Sequence, residues 1–207
     1  MAIEIIDGAS DAGIAGWIAE RLIIALGRAA PGRIAISVPG GSTPFPILAE
    51  MAGKTIDWRR IDVWPGDDRV VAPGHPASNV GRIRAALEPL GARVTELTEG
   101  AQPPRFALVW LGMGADGHIA SLFPSSDPRS DDAVSIRRLR PDPLPPEAPF
   151  ERLTLTIPAL LNSEALLFVI RGAEKRRLFE AASLGANDLP VARLLAARGA
   201  EPVTCFA

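Results

Sequence analysis

Short apolar runs alternate with longer amphipathic stretches along the whole chain, and this rhythm restricts the fold more than any other feature of the sequence. The runs at 3–6, 33–38, 61–64, 106–111, 152–157 and 165–170 have the length of strands. Between them, 11–26, 79–87, 173–184 and 190–197 repeat apolar residues at helical spacing, as in Ile14, Trp17, Ile18 and Leu22. Strands joined by helical crossovers pair in parallel and are covered on both faces. The expectation is an α/β fold, 1–207 forming one domain, with a mainly parallel, Rossmann-like sheet flanked by helices. At 207 residues and 47% hydrophobic composition the chain can bury such a core without metals or disulfides. One stretch, "PRSDDAVSIRRLRPDPLPPEAPFER", is too rich in proline and charge for a central strand or helix interior. It predicts a surface excursion with a short edge strand at 133–136, and its functional alternative is a lid over a site.

Charge and cysteine usage exclude several classes of partner. The formal net charge is −2 and the arginines are scattered, so no nucleic-acid footprint is present. Cys205 is the single cysteine, which rules out an internal disulfide and suits a reducing cytoplasm. Glu4, Asp7 and Asp11 stand where a secretory leader would be basic, and no apolar run approaches the roughly 20 residues that span a bilayer. The expectation is a cytoplasmic protein with no membrane partner.

In an open parallel sheet, ligands bind beyond the carboxyl ends of the strands, so the loops that follow the predicted strands carry the functional question. After 33–38 comes "PGGSTPF". Gly40 and Gly41 allow a tight turn, Ser42 and Thr43 supply hydroxyls, and Pro44 suits the first turn of a helix. Backbone N–H groups at such a helix start can hold a phosphate; the plain alternative is a capped strand-to-helix turn. After 61–64 comes "PGDDRVVAPGHPASNVGR". Here Asp67, Asp68 and Arg69 make either a solvated ion pair or an anion clamp positioned by one aspartate. His75 reads as an exposed loop histidine, and Ser78 with Asn79 as a helix cap. The third loop, "GMGADGHIASLFP", sets Asp116 and His118 after two glycines, at the start of a predicted short helix. The chain owns only two histidines. One placed here is either a structural side chain or a general base, since imidazole exchanges a proton near neutral pH.

Taken together, "GGSTP" at 40–44, "DDRVVAPGHPASN" at 67–79, "LGMGADGHIASLFP" at 111–124 and "RLTLTIPALLNSEALLFVIRGAEK" at 152–175 resemble the 6-phosphogluconolactonases. These esterases are related to glucosamine-6-phosphate deaminases and ribose-5-phosphate isomerases. The chain departs from the family where Asp68 replaces a usual glutamate, where Ala115 and Ile119 replace proline and threonine, and in the tail "EPVTCFA". "DGHIA" is closer to the deaminases, but the chain has no tyrosine and continues "SLFP", as the lactonases do.

The resemblance implies hydrolysis of 6-phosphoglucono-δ-lactone to 6-phosphogluconate, with no cofactor and no metal. By the same resemblance, Gly40, Gly41, Ser42, Thr43 and Lys175 would hold the phosphate. Without it, Lys175 reads as a solvated helix-surface lysine. His118 would activate water and return the proton to the ring oxygen, and Arg69, with Asp67 beside it, would meet the developing negative charge. Asp116 would orient the imidazole or the water. The rival readings are a sugar-phosphate isomerase or deaminase that uses Asp67 or Asp68 as a base, and a catalytically silent sugar-phosphate sensor. The partner implied is a small phosphosugar lactone, the protein acting as a monomer or small homo-oligomer.

Overall fold

The apolar runs form a parallel sheet in the computed structural model, which describes residues 3–144 and 148–207. In chain order the first half comprises β1 (Ile3–Ile6), α1 (Asp11–Arg28), β2 (Ile34–Val38), α2 (Pro44–Ala52), β3 (Ile61–Pro65), β4 (Asp67–Arg69), α3 (Asn79–Leu87), β5 (Arg93–Val94) and β6 (Phe106–Leu111). The second half comprises β7 (Ile136–Leu139), β8 (Arg152–Leu155), α4 (Ile157–Leu161), β9 (Ser163–Val169), α5 (Ala173–Ser183), α6 (Pro190–Arg198) and β10 (Val203–Phe206). Seven strands pair in the order β1-β10-β9-β6-β2-β3-β5, every pairing parallel. A second sheet, β4-β8-β7, is antiparallel.

β2 shows why these residues make a central strand. All its positions are buried, with Ile36 and Val38 packed among residues of α1, α2 and α3. Ala35 faces the opposite cluster, which holds Leu160 of α4, Phe179 of α5 and Leu194 of α6. A strand covered on both faces must be apolar on both, and each fully buried aliphatic side chain contributes about 1.5–3 kcal/mol. The helices follow equally local rules. Ile14, Ile18 and Leu22 recur every fourth residue of α1 and are buried, while Ser10 caps its start by accepting from the Gly13 amide at 3.1 Å. Ser78 caps α3 in the same way, from Gly81 at 3.1 Å.

The sheet order creates the site. β2, β3 and β5 step toward one edge, whereas β6 returns to the other flank of β2. The crevice beyond the carboxyl ends of β2 and β6 is therefore the point where the winding reverses. Gly66 carries the chain from β3 into the second sheet. Its amide donates to Val38 of β2 at 3.0 Å, and its carbonyl accepts from Leu155 of β8 at 2.9 Å.

Several expectations need correction. The run 152–157 ends as a strand at Leu155, because Pro158 suits the first turn of α4 better than a ladder. The edge strand expected at 133–136 lies instead at Ile136–Leu139, where it pairs with β8. No helix starts at His118: Gly117 and Ala120 have φ of +78° and +48°, and the chain makes a turn and an Ile119–Leu122 bridge. β4, β5 and β10 were not expected as strands, and β10 runs between β1 and β9. Its Cys205 is fully buried, and that burial pushes the thiol up to about 12. Of the proline-rich excursion that could form a lid, 145–147 lie outside the described residues.

Candidate active site

A cavity of about 340 Å³ opens at the reversal point. Gly40, Gly41, Ser42 and Thr43 line it from the loop after β2, Asp67 and Arg69 from β4, His118 from the loop after β6, and Lys175 from α5. Asp116 stands behind the imidazole, and Asp68 faces elsewhere.

The loop after β2 delivers an unobstructed helix start. α2 begins at Pro44 and no side chain caps it. Gly41 has φ of +83°, with no atom within 4 Å of where a Cβ would stand, so the backbone there is open to a ligand. α5 is likewise uncapped by a side chain at Gly172, and Lys175 sits in its first turn. This lysine is half-buried, and its Nζ donates to the Met113 carbonyl at 2.8 Å. The cavity thus has a cation and a helix start of the kind that favours an anion.

The two adjacent aspartates have separate tasks, and neither belongs to a solvated ion pair, since both are buried. Side chains alternate along a strand, so Asp67 and Arg69 share a side of β4 and Asp68 takes the other. Asp68 accepts from the amides of Asn79 at 2.6 Å and Val80 at 3.1 Å and from Ser78 Oγ at 3.2 Å, binding the start of α3. It is therefore a helix anchor. Asp67 accepts a short hydrogen bond from Ser121 Oγ. Burial pushes its carboxyl above the usual range, against the opposing pull of Ser121 and Arg69. Arg69 is held by neutral oxygens: its Nη1 donates to the Ala77 carbonyl at 2.7 Å and to Asn79 Oδ1 at 3.2 Å. His75 is exposed, as expected, and its Nδ1 accepts from the Ala77 amide at 3.0 Å.

Asp116 and His118 form a dyad, with Nδ1 2.6 Å from Asp116 Oδ1. Partial burial pushes the Asp116 carboxyl up, but the contacts with His118 outweigh it and hold the group below the ordinary range. An ionised carboxylate only accepts, so Nδ1 is the donor in this pair, and the tautomer of the neutral imidazole that fits has its lone pair on Nε2. The Phe123 ring lies 4.8 Å from the imidazole, centroid to centroid. Gly114 lets the ring lie flat against the turn: a Cβ there would stand 2.2 Å from Cε1 and Nδ1 of His118.

Three polar residues at the cavity were not singled out from the sequence as site residues. Asn79, expected to share the cap with Ser78, instead turns its side chain to Asp67 and Arg69. Ser121 is bonded to Asp67. Arg152 is buried and donates to the carbonyls of Phe150 at 2.5 Å and Ala148 at 2.8 Å. The alternation in "RLTLT" carried the signal for the last, since it sets Arg152 and Thr154 on one side of β8. Among the described residues, no three His, Cys, Asp or Glu side chains come together as metal ligands, and no helix is long and apolar enough to cross a membrane.

Comparison with known proteins bears on this geometry. The profile of the family described as glucosamine-6-phosphate isomerases/6-phosphogluconolactonase matches residues 10–94 and 88–203. A 6-phosphogluconolactonase of Caulobacter vibrioides is 34% identical over 188 residues, which cover 79% of this chain and 79% of that one. One of Pseudomonas putida is 34% identical over 194 residues, 83% of this chain and 78% of the relative. Among solved structures, a 6-phosphogluconolactonase from Shewanella baltica superposes with a TM-score of 0.82 at 26% identity, covering 100% of this chain and 97% of that one. The Thermotoga maritima 6-phosphogluconolactonase gives 0.81 at 25% identity, covering 99% and 98%.

Proposed function

The chain belongs to the glucosamine-6-phosphate isomerase/6-phosphogluconolactonase family, and from that premise we propose how its cavity hydrolyses 6-phosphoglucono-δ-lactone to 6-phosphogluconate. This is the lactone-opening step of the pentose phosphate pathway. The observation that carries the mechanism is the Asp116–His118 dyad, which makes Nδ1 the donor and so puts the lone pair of the neutral imidazole on Nε2, in a cavity whose other wall is an uncapped helix start.

The substrate's phosphate dianion takes the backbone amides of Gly41, Ser42 and Thr43 and the Lys175 ammonium, with Gly40 shaping the loop beneath. His118 Nε2 then accepts a proton from a water molecule as its oxygen attacks the lactone carbonyl. Asp116 stabilises the imidazolium that forms. The guanidinium of Arg69 stands against the oxyanion and, after ring opening, against the new carboxylate. Collapse of the tetrahedral intermediate expels the ring oxygen, which takes the proton back from His118 and becomes a hydroxyl, and the carboxylic acid formed releases the water's second proton to solvent to leave the carboxylate. The chemistry uses one water and no covalent enzyme intermediate. Asp67 serves substrate binding by holding Ser121 and the Asn79 carboxamide beside Arg69.

The reading has 1–207 acting as one domain, since both sheets contribute to the cavity wall: Arg69 and Arg152 come from the second sheet, Gly40 and His118 from loops of the first. It places the protein in the cytoplasm as a monomer or small homo-oligomer. The test is to supply purified protein with 6-phosphoglucono-δ-lactone generated in situ, follow acid release above the spontaneous rate, and offer glucosamine 6-phosphate in parallel. Acceleration of the first with no ammonia from the second is expected; ammonia release without lactone hydrolysis would transfer the site to the deaminase reading.

A further inference from the structure

We propose that Asn79 is a positioning residue that sets the spacing between the phosphate-binding end of the cavity and its hydrolytic end. The inference rests on the roles given above to the Gly40–Thr43 loop and to Arg69. Asn79 is the first residue of α3, is 2% exposed and lines the cavity. Its backbone is held independently of its side chain, because its amide donates to Asp68 Oδ1 and Ser78 supplies the cap.

The side chain is engaged at both ends and on one face. Nδ2 donates to the Asp67 carbonyl at 2.9 Å and to Asp67 Oδ1 at 3.3 Å, while Oδ1 accepts from Arg69 Nη1 at 3.2 Å. Against its face lies Gly40. A Cβ on that glycine would stand 2.2 Å from Asn79 Cγ and Oδ1 and 2.3 Å from Nδ2. Contacts this short require a shift, and an amide bound at both ends does not move freely. Gly40 is not among the residues with positive φ, so its backbone would accept alanine; the obstacle is the carboxamide of Asn79. Gly41 is the converse case, with a left-handed backbone and open space.

The carboxamide therefore works as a spacer. One face limits how closely the phosphate loop approaches and its ends hold Asp67 and Arg69, so one planar group places the anion cradle relative to the guanidinium. Inorganic phosphate uses only the cradle, whereas 6-phosphogluconate spans both ends.

A double-mutant cycle on Gly40→Ala and Asn79→Ala tests this. Hydrolysis and calorimetric binding of inorganic phosphate and of 6-phosphogluconate are measured for the wild type, both single variants and the double variant. Asn79→Ala is expected to lower kcat/KM and 6-phosphogluconate affinity by about tenfold, the scale of one lost hydrogen bond to a charged group. Its affinity for inorganic phosphate should stay within about twofold of the wild type, the scatter expected between uncoupled sites. Gly40→Ala alone should cost at least as much as Asn79→Ala, yet little in the Asn79→Ala background, where the methyl group has room. Melting temperatures and circular dichroism establish folding, and Asn79→Ser provides a second, polar truncation should the alanine variant fold poorly. Independent, additive costs would overturn the proposal, as would equal weakening of both ligands. A wild-type protein inert toward the lactone would sink the assigned reaction instead, while the binding cycle would still decide the spacing.

Discussion

Replacing Asp116 with asparagine isolates what the carboxylate does for His118. With Oδ1 2.6 Å from Nδ1, the carboxylate selects the tautomer whose lone pair is on Nε2. An amide in the same place can turn its NH₂ group toward Nδ1, which moves the imidazole proton to Nε2 and removes the base. A charge-assisted hydrogen bond is worth about 1.5–3 kcal/mol net, and each 1.36 kcal/mol is tenfold in rate, so kcat should fall by about 10–150-fold. The comparable change in serine proteases, where the aspartate is buried, costs about 10⁴. Here the Asp116 side chain is 51% exposed, and water competes for both partners, so the loss belongs well below that figure. Steady-state assays with spontaneous opening subtracted give kcat and KM, and nitrogen NMR of the imidazole reports the tautomer. KM should stay within about twofold, because Asp116 does not line the cavity. An unchanged kcat in a variant whose imidazole proton has moved to Nε2 would refute the reasoning, since the base would then be unnecessary.

The remaining expectations follow from the same geometry. His118→Ala should remove about 10²–10⁴-fold of the corrected rate while 6-phosphogluconate still binds; an unchanged rate takes the imidazole out of the mechanism. Lys175→Ala should chiefly raise KM, by roughly 10–100-fold for one lost charged contact, and leave unphosphorylated gluconolactone unaffected; a wild-type preference for the phosphorylated substrate would remove Lys175 from the site. Burial raises the Asp67 carboxyl, so the folded state holds that proton more tightly than the unfolded chain, and wild-type stability drops as pH rises from about 4 through the raised value. Asp67→Asn cannot titrate, so its melting temperature should match the wild type near pH 4 and exceed it increasingly as pH rises through that raised value; a pH-independent difference contradicts that account. Ser78→Ala should lower stability by about 1–2 kcal/mol, roughly 2–8 °C in Tm for a chain of this size, as measured by thermal unfolding.

The parallel sheet was legible because its strands are buried on both faces and therefore apolar throughout, as "IAISV" of β2 is. β4 and the two-residue β5 have no such local mark. Asp67-Asp68-Arg69 has little strand propensity, and β4 exists because Leu153 and its neighbours on β8 offer an antiparallel ladder. β10, Val203–Phe206, is buried and made largely of strand formers, but it is only four residues long, and its place between β1 and β9 is a matter of tertiary pairing. Ala120 misled in the opposite sense. Alanine is the best helix former, yet here it adopts φ of +48° in the turn that brings Ser121 under Asp67. At such a site tertiary demands override local preference.

The site divides along the same line. Motifs disclose which donors and acceptors a loop owns, so the glycines at 40 and 41, Arg69 and His118 were visible as chemistry before any fold was known. Partners are a different matter, because they come from elsewhere in the chain. Ser121 reaches Asp67 across 54 residues and Lys175 reaches Met113 across 62, distances over which no periodicity carries information. The choice between Asp67 and Asp68 shows the cost. Two identical neighbours cannot be told apart by composition or spacing, but once β4 is a strand its alternation sends one into the cavity and the other to the start of α3. Asn79 is the same lesson inverted: a residue type that suits a cap leaves that duty to Ser78, and its carboxamide is drawn instead to Asp67 and Arg69 against a glycine 39 positions earlier, a contact that the pairing of β2 with β3 and the packing of α3 beside α2 and β4 make possible.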